Sequence, residues 1–177
     1  MAGLVSAGLP GCSPAYDWRE VHPAPGGFVV ALPQRAHTEE RDVGLGDAGL
    51  SVPMTMTSTG IGPTLFAVGV ARLPAGAPAA AQLLAWVRDG LVRNIGGTVL
   101  VEKPLGPPAG SGDVRAAEEL AARGNMAGDR RPIRLDARIY VFDDRLYSLS
   151  ALSAEGELTP DLLDTFFSSF RIAGRSS

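Results

Sequence analysis

Residues 133–153 read IRLDARIYVFDDRLYSLSALS, and this stretch decides the fold. Side chains alternate in character from residue 134 to 142, as they do in a strand with two different faces. Asp143 and Asp144 stand where a two-residue hairpin turn belongs, since aspartate tolerates the positive φ that such turns need. Residues 145–153 then return, so the sequence predicts an antiparallel hairpin.

A helix is predicted directly after the hairpin, over residues 159–170. Thr159 supplies a capping hydroxyl, Pro160 suits the first helical position and Asp161 places an acid in the first turn. The apolar residues of the segment share one face at the helical repeat: Leu162, Leu163, Phe166, Phe167 and Phe170. We expect the phenylalanines to be buried against the sheet that contains the hairpin.

The first half of the chain contains further strand signals. A short apolar strand is predicted at 28–32, and the polar segment 34–49 is either a loop or an edge strand. Segments 50–58 and 64–71 are rich in Thr, Val and Phe around a Gly/Pro turn, which predicts a second hairpin. Pro53 predicts that the first of these strands lies at an edge or a bulge, because proline cannot donate to a ladder.

A long helix is predicted over residues 79–95, followed by a strand at 98–103. Its apolar stripe recurs at helical spacing: Leu83, Leu84, Val87, Leu91 and Ile95. Gly96 and Gly97 end the helix. Segment 115–123, RAAEELAAR, has strong helix propensity. It has no Val or Ile stripe, yet the local evidence alone favours a helix over a strand.

Bulk composition indicates one globular domain. The chain has 177 residues, 45% hydrophobic and 20% charged, and we place a single domain at 16–173. The net charge of −3 predicts no affinity for nucleic acid or acidic membranes. One cysteine excludes an internal disulfide and a cysteine-based zinc site, and no apolar run reaches the roughly 18 residues that a membrane span needs.

The lone cysteine lies in a segment that resembles a bacterial lipobox, Leu9-Pro10-Gly11-Cys12. We interpret 1–15 as the remainder of a signal with a disordered tether, 174–177 as a tail, and Cys12 as the lipidated residue. Pro10 is unusual at its position, and no basic region precedes the segment. A start codon placed too late would explain the missing region. The alternative is a chance Gly-Cys in a cytoplasmic protein that begins at Met1.

Motifs for catalysis or cofactor binding are weak. Residues 44–49 match G-x-G-x-x-G, but β-like sequence follows them where a dinucleotide site needs a helix. His22 and His37 lie beside turns and are predicted to be solvated, and a Ser-His-Asp relay would have to use one of them. Glu118 and Glu119 should point to opposite faces of a strand. Arginines at 130, 131, 134 and 138 could form a basic strip, but acids are interleaved with them, which is typical of a solvated, mutually paired sheet edge.

Several short segments together resemble a group of bacterial envelope proteins with the plan of PsbP-like domains and DcrB-like lipoproteins. The residues that carry this resemblance are Trp18, Gly26-Gly27-Phe28, Leu32-Pro33, Leu73-Pro74, Arg138-Ile139-Tyr140-Val141, Asp144-Arg145-Leu146-Tyr147 and Phe167-Ser168-Ser169-Phe170-Arg171. The resemblance implies an α+β fold, a PsbP-like α/β/α sandwich in which both helices pack on a central antiparallel sheet. It also implies that 115–123 is a strand.

The expected function is a non-catalytic module of the bacterial cell envelope, lipid-anchored or secreted into the periplasm. PsbP-like domains mostly serve in binding or assembly, so we expect a partner protein or a small ligand and no nucleic acid. No residue is assigned to catalysis, to a cofactor or to a metal. Two alternatives stay open: a hydrolase whose site is built from loops around His22 or His37, and a cytoplasmic adaptor.

Overall fold

Most of the described chain is β-strand. The computed structural model describes residues 16–23, 26–46, 49–112, 114–125 and 131–173, of which 53% are in strands and 16% in helices. The strands are β1 (Arg19–Val21), β2 (Phe28–Leu32), β3 (His37–Leu45), β4 (Leu50–Ile61), β5 (Thr64–Arg72), β6 (Thr98–Pro104), β7 (Ala116–Asn125), β8 (Pro132–Phe142), β9 (Arg145–Ala154) and β10 (Arg171–Ile172). The helices are α1 (Ala80–Asn94) and α2 (Pro160–Ser168).

The main sheet has seven antiparallel strands in the order β3-β4-β5-β9-β8-β7-β6. Consecutive strands form two meanders, β3 to β5 and β6 to β9, and these join where β5 pairs with β9. A separate small sheet has the order β1-β2-β10, and it connects the two ends of the described chain. The helix α1 connects the two meanders.

The hairpin predicted at 133–153 is confirmed as β8 and β9. Phe142 pairs with Arg145 and Tyr140 with Tyr147, so Asp143 and Asp144 form the turn between them. Asp143 has a φ of 49°, the left-handed conformation that aspartate adopts more easily than most residues. The second predicted hairpin is also confirmed, as β4 and β5.

One face of the main sheet is covered by α2 and the small sheet. Thr159 caps α2 by accepting a hydrogen bond from the Leu162 backbone N–H. Phe166, Phe167 and Phe170 are 0%, 7% and 1% exposed, which confirms their predicted burial. They pack with side chains from β2, β5, β8 and β9 in one hydrophobic cluster.

The opposite face is covered by α1. Leu83 is fully buried and Leu84, Val87 and Ile95 nearly so, which confirms four members of the predicted stripe. The fifth, Leu91, is only partly buried. The helix contacts β7 and β8 and also β3 at the other end of the sheet. The sheet therefore curves around α1, so strands from both ends of the sheet contribute to the core on this side.

The predicted fold class, an α+β PsbP-like α/β/α sandwich, is wrong. The chain is mostly β and forms two antiparallel sheets, and its helices are short, with 15 residues in α1 and 9 in α2. The prediction assumed one central sheet. Instead β2 is the middle strand of a second sheet, paired with β1 and β10. Its buried residues pack in the same core as α2.

Residues 116–123 belong to β7, so the strand implied for 115–123 is confirmed except at Arg115, which precedes it. The strand is bonded on both sides, to β6 and to β8. Leu120 and Ala122 are buried beneath α1 with Ile95. Pairing on both sides together with this burial outweighs the helix propensity of its alanines, because tertiary context routinely overrides intrinsic preference.

Two predictions on β3 and β4 have different outcomes. The polar segment 34–49 contains an edge strand, β3, as one of its two interpretations predicted. The placement of Pro53 at an edge or bulge is wrong, because β4 lies between β3 and β5. The proline is tolerated because the ladder with β5 begins only at Met54, one residue later.

Candidate functional site

Three grooves meet around the β8–β9 turn at one end of the main sheet. The widest has a volume of about 730 Å³ and lies between the end of β5, the loop before α1 and the turn residues Asp143 and Asp144. A groove of about 370 Å³ lies across the turn beside Tyr147, and one of about 260 Å³ lies beside Arg145. Volumes of this order are typical of ligand sites, and the polar groups of the lining decide what each groove can bind.

The arginines around this turn bond within the chain. Arg72 Nε lies 3.0 Å from Asp144 Oδ2, Arg115 donates to the Asp143 carbonyl oxygen at 3.2 Å, and Arg145 donates to the Gly26 carbonyl oxygen at 3.0 Å. These contacts connect β5 and the segments just before β7 and β2 to the turn. The guanidinium groups thus brace a junction between strands, and the widest groove is lined by two arginines and two aspartates.

A groove of about 320 Å³ lies between α2 and the outer strands β6 to β8. The guanidinium carbon of Arg138 stands 4.8 Å from the centre of the Phe167 ring, a cation–π geometry. Arg138 and Lys103 also bind Glu119, at 3.0 and 2.8 Å. Burial raises the pKa of Glu119, but the Lys103 hydrogen bond and the Arg138 charge outweigh it and lower the pKa overall.

The adjacent Glu118 lies on the opposite face, beneath α1, as the alternation of a strand predicts. It is 8% exposed, and its Oε1 has no hydrogen-bond partner among the described residues. Its other oxygen lies 3.3 Å from Arg88 Nη1, a cation that Glu102 and Asp89 share. Burial, with the charges of Glu102 and Asp89, raises the pKa of Glu118 despite the attraction of Arg88.

We expect Glu118→Gln to stabilise the protein at neutral pH. A carboxyl whose pKa is raised on folding contributes stability below its unfolded pKa, and this contribution is lost as pH rises through the higher folded pKa. The ionised Glu118 is therefore unfavourable at pH 7, and glutamine removes its charge. Thermal melts from pH 4 to pH 8 should show the largest gain at the alkaline end.

Glu119→Gln is the matched control for that experiment. Its pKa is lowered, so its ionised form is favourable at neutral pH, and the amide should melt slightly below the parent there. The effect is small because Lys103 is largely exposed. A lower melting temperature for Glu118→Gln at pH 7 would show that the Arg88 attraction dominates.

The two edges of the main sheet differ sharply. At one edge all residues of β6 are exposed, including Val99, Leu100 and Val101 at 42%, 54% and 41%. The only neighbour of β6 in the described sheet is β7, so its outer backbone groups face solvent. A long edge strand with consecutive exposed apolar side chains is a surface that another chain can pair with.

The other edge, β3, is protected by charge. Four consecutive charged residues occupy its middle, Glu39, Glu40, Arg41 and Asp42, and all of them are exposed. Arg41 and Glu39 form an ion pair along the strand. Charged side chains on an edge are a common device against unwanted pairing. The β6 surface, defined as Val99, Leu100 and Val101, is uncharged, and the charged residues of this strand, Glu102 and Lys103, follow it.

The structure places neither His22 nor His37 in a cleft beside an acid. His22 lies 2.9 Å from Glu20, and both side chains are more than half exposed. His37 is exposed at the start of β3. Neither histidine lines the grooves described above. The arrangement that a hydrolase at these residues requires, a histidine beside an acid in a cleft, is not found in the described part of the chain.

The other sequence motifs have structural positions. Gly44 lies in β3 and Gly49 just before β4, so the G-x-G-x-x-G match belongs to a hairpin and not to a strand–helix turn. Arg134 bonds Asp136 at 2.7 Å and Arg138 bonds Glu119, so the predicted mutual pairing is confirmed. The predicted position at a sheet edge is wrong, because β8 lies between β7 and β9. Arg130 and the proposed lipidation residue Cys12 lie outside the described residues.

Two negative findings apply to the described residues alone. Within them, no group of three or more His, Cys, Asp or Glu could hold a metal ion. No helix in these ranges is long and apolar enough to cross a membrane. Sequence reasoning missed the exposure of the β6 surface, because Val-Leu-Val is equally typical of a buried strand. It also missed the ion pairs that Arg88 forms with Glu102 and Glu118, because both glutamates lie on strands far from Arg88 in the chain.

Comparisons with known proteins give little further information. No family model and no curated protein matches the sequence. Among solved structures, a Pseudomonas aeruginosa protein of unknown function, described as a candidate regulator, is similar with 12% identity and a TM-score of 0.38, over 82% of this chain and 85% of that one. A TM-score of this size establishes neither a common fold nor a common activity.

Proposed function

We propose that this chain is a non-catalytic module of the bacterial envelope, lipid-anchored through Cys12 or secreted, that binds a partner protein along β6. The observation that carries the binding role is the contrast between the two edges of the sheet. One edge is charged along its middle, and the other presents the apolar β6 surface to solvent.

Strand addition suits this surface physically. An extended partner segment would satisfy the outer backbone groups of β6 and cover the apolar side chains of Val99, Leu100 and Val101. The groove between α2 and β6 is lined by residues from Val101 to Phe167, so side chains of the partner would contact both apolar and charged residues there. Arg138 and Lys103 are held there by Glu119.

Photo-crosslinking in the native cell tests the binding surface. We expect p-benzoylphenylalanine in place of Leu100 on β6 to form a covalent protein adduct on irradiation. The same probe in place of Glu40, at the equivalent exposed position of β3, should form none. The proposed binding role fails if Leu100 gives no adduct, or if both positions give the same adducts.

Cell fractionation tests the anchor. A chain expressed with its natural upstream sequence should fractionate with membranes, and Cys12→Ala should release it or stall its processing. We expect strong retention because bacterial lipoproteins carry several acyl chains, whereas one chain binds only marginally. Unchanged fractionation of the Cys12→Ala variant would contradict lipidation at Cys12, while the proposed partner binding along β6 would still stand.

A further inference from the structure

We propose that the partner at β6 is a second copy of this chain, so that two main sheets join edge to edge in a closed dimer. This inference rests on the proposed binding role of β6 and names its occupant. It starts from a β-bulge in the strand. Val99 pairs with Ala122 and Val101 with Ala121, so Leu100 is the extra residue between two neighbouring pairs.

The bulge places apolar side chains on both faces of the sheet. Ala122 packs with Ile95 beneath α1, so Val99 belongs to that face. Ala121 lines the groove beside α2, so Val101 belongs to the other face. A bulge also interrupts the regular ladder, and the apolar side chains must therefore supply most of the binding energy.

Face and charge together select one antiparallel register. Residues opposite each other across a two-fold axis must lie on the same face of the joined sheet. Pairing Leu100 with the second copy's Val99 meets this rule for the residues that flank the bulge. Val101 then lies opposite Thr98, and their β7 partners Ala121 and Arg123 both lie on the α2 face. Glu102 lies opposite Gly97, which has no side chain to oppose it. Shifting the pairing so that Glu102 meets Val99 would bury a carboxylate against an apolar side chain.

The charged edge excludes the other way for copies to pair. Pairing of β6 with β3 of another copy would be head-to-tail, which builds a ring or an open filament and not a two-fold dimer. It would also set the charged run from Glu39 to Asp42 against the β6 surface. Pairing of β6 with β6 places the apolar residues of the two copies opposite each other. Each copy then has its β6 edge occupied, so no third copy can add there and the assembly is a dimer.

Sedimentation equilibrium of the full chain tests the dimer, with a reductant present so that Cys12 cannot cross-link two copies. The parent should approach twice the 18.4 kDa mass of the chain as concentration rises. Leu100→Lys should raise the dissociation constant at least about tenfold. Leu65→Lys is the matched control, since Leu65 is also exposed, at 42%, but lies on the interior strand β5. Circular dichroism must show that all three fold alike.

A parent that sediments as a monomer at every concentration overturns self-pairing, and so does a dimer that Leu100→Lys leaves unchanged. The adduct from the Leu100 crosslinking probe separates the two proposals. An adduct with the mass of two chains supports the dimer. An adduct of another mass overturns self-pairing while the binding role of β6 stands, and no adduct overturns the binding role itself.

Discussion

Phe166→Ala should lower the free energy of unfolding by about 3–5 kcal/mol, the cost of deleting a fully buried aromatic side chain. The Phe166 ring is 0% exposed, and its centre lies 5.1 Å from Phe66 of β5 and 5.0 Å from Phe167. Domains of this size are stable by about 5–15 kcal/mol in total. The loss is therefore a large share of the stability, and urea titration or a thermal melt will show it.

Phe170→Ala should have a comparable effect because its ring is packed against rings from three strands. The ring centres of Phe28, Tyr140 and Tyr147 lie 5.8, 5.6 and 5.7 Å from it. Asp164→Ala on the exposed face of α2 is the control and should stay within about 0.5 kcal/mol of the parent. If both phenylalanine variants melt with the parent, α2 is not part of the core and becomes an exposed recognition helix.

Leu83→Ala should cost about 2–5 kcal/mol and tests the opposite face of the sheet. Leu83 is fully buried, and it belongs to the cluster that α1 forms with Leu45 of β3, Ile139 of β8 and Leu146 of β9. Truncation to alanine leaves a cavity under the first turn of the helix. Because this cluster joins β3 to β8 and β9, strands of both meanders would lose contacts.

Gln82→Ala is the matched control for this variant, since Gln82 is the exposed neighbour of Leu83 on α1. Its unfolding midpoint should stay with the parent. Equal midpoints for Leu83→Ala and Gln82→Ala would show that α1 does not stabilise the sheet. The Leu83 and Phe166 effects should add, because the two residues belong to separate clusters on opposite faces.

Local features of the fold could be predicted where a few neighbouring residues determine the structure. Asp143 and Asp144 between alternating segments predicted the hairpin, and Thr159-Pro160-Asp161 predicted the start of α2. The stripe from Leu83 to Ile95 predicted α1 with its buried face. Each of these signals acts within one or two turns of chain, and tertiary contacts reinforced them.

Features that depend on distant pairing could not be predicted in the same way. Two residues, Arg171 and Ile172, form β10, and nothing in so short a segment indicates that it closes a second sheet on β2. The resemblance to PsbP-like domains supplied one central sheet instead, and the fold class was wrong for that reason. Pro53 was misplaced because the sequence does not show where the β4–β5 ladder begins.

The candidate surface was less predictable than the fold. Exposure of Val99, Leu100 and Val101 depends on β6 being the last strand of the sheet, and strand order is a non-local property. The raised pKa of Glu118 depends on Arg88, Asp89 and Glu102 meeting it from α1 and β6. The sequence did predict correctly that Glu118 and Glu119 have separate environments, because that follows from strand geometry alone.

The junction between the two meanders has a consequence for the rate of folding. Pairing of β5 with β9 brings Arg72 beside Arg145, across a loop that holds α1 and three strands. Closing such a loop carries an entropy cost before its contacts form, so non-local pairing of this kind slows folding. During synthesis β5 must therefore wait for β9 with Phe66, Val68 and Val70 uncovered. A growing chain that stalls before residue 145 would expose a long apolar strand edge, and we expect it to need protection from aggregation at that stage.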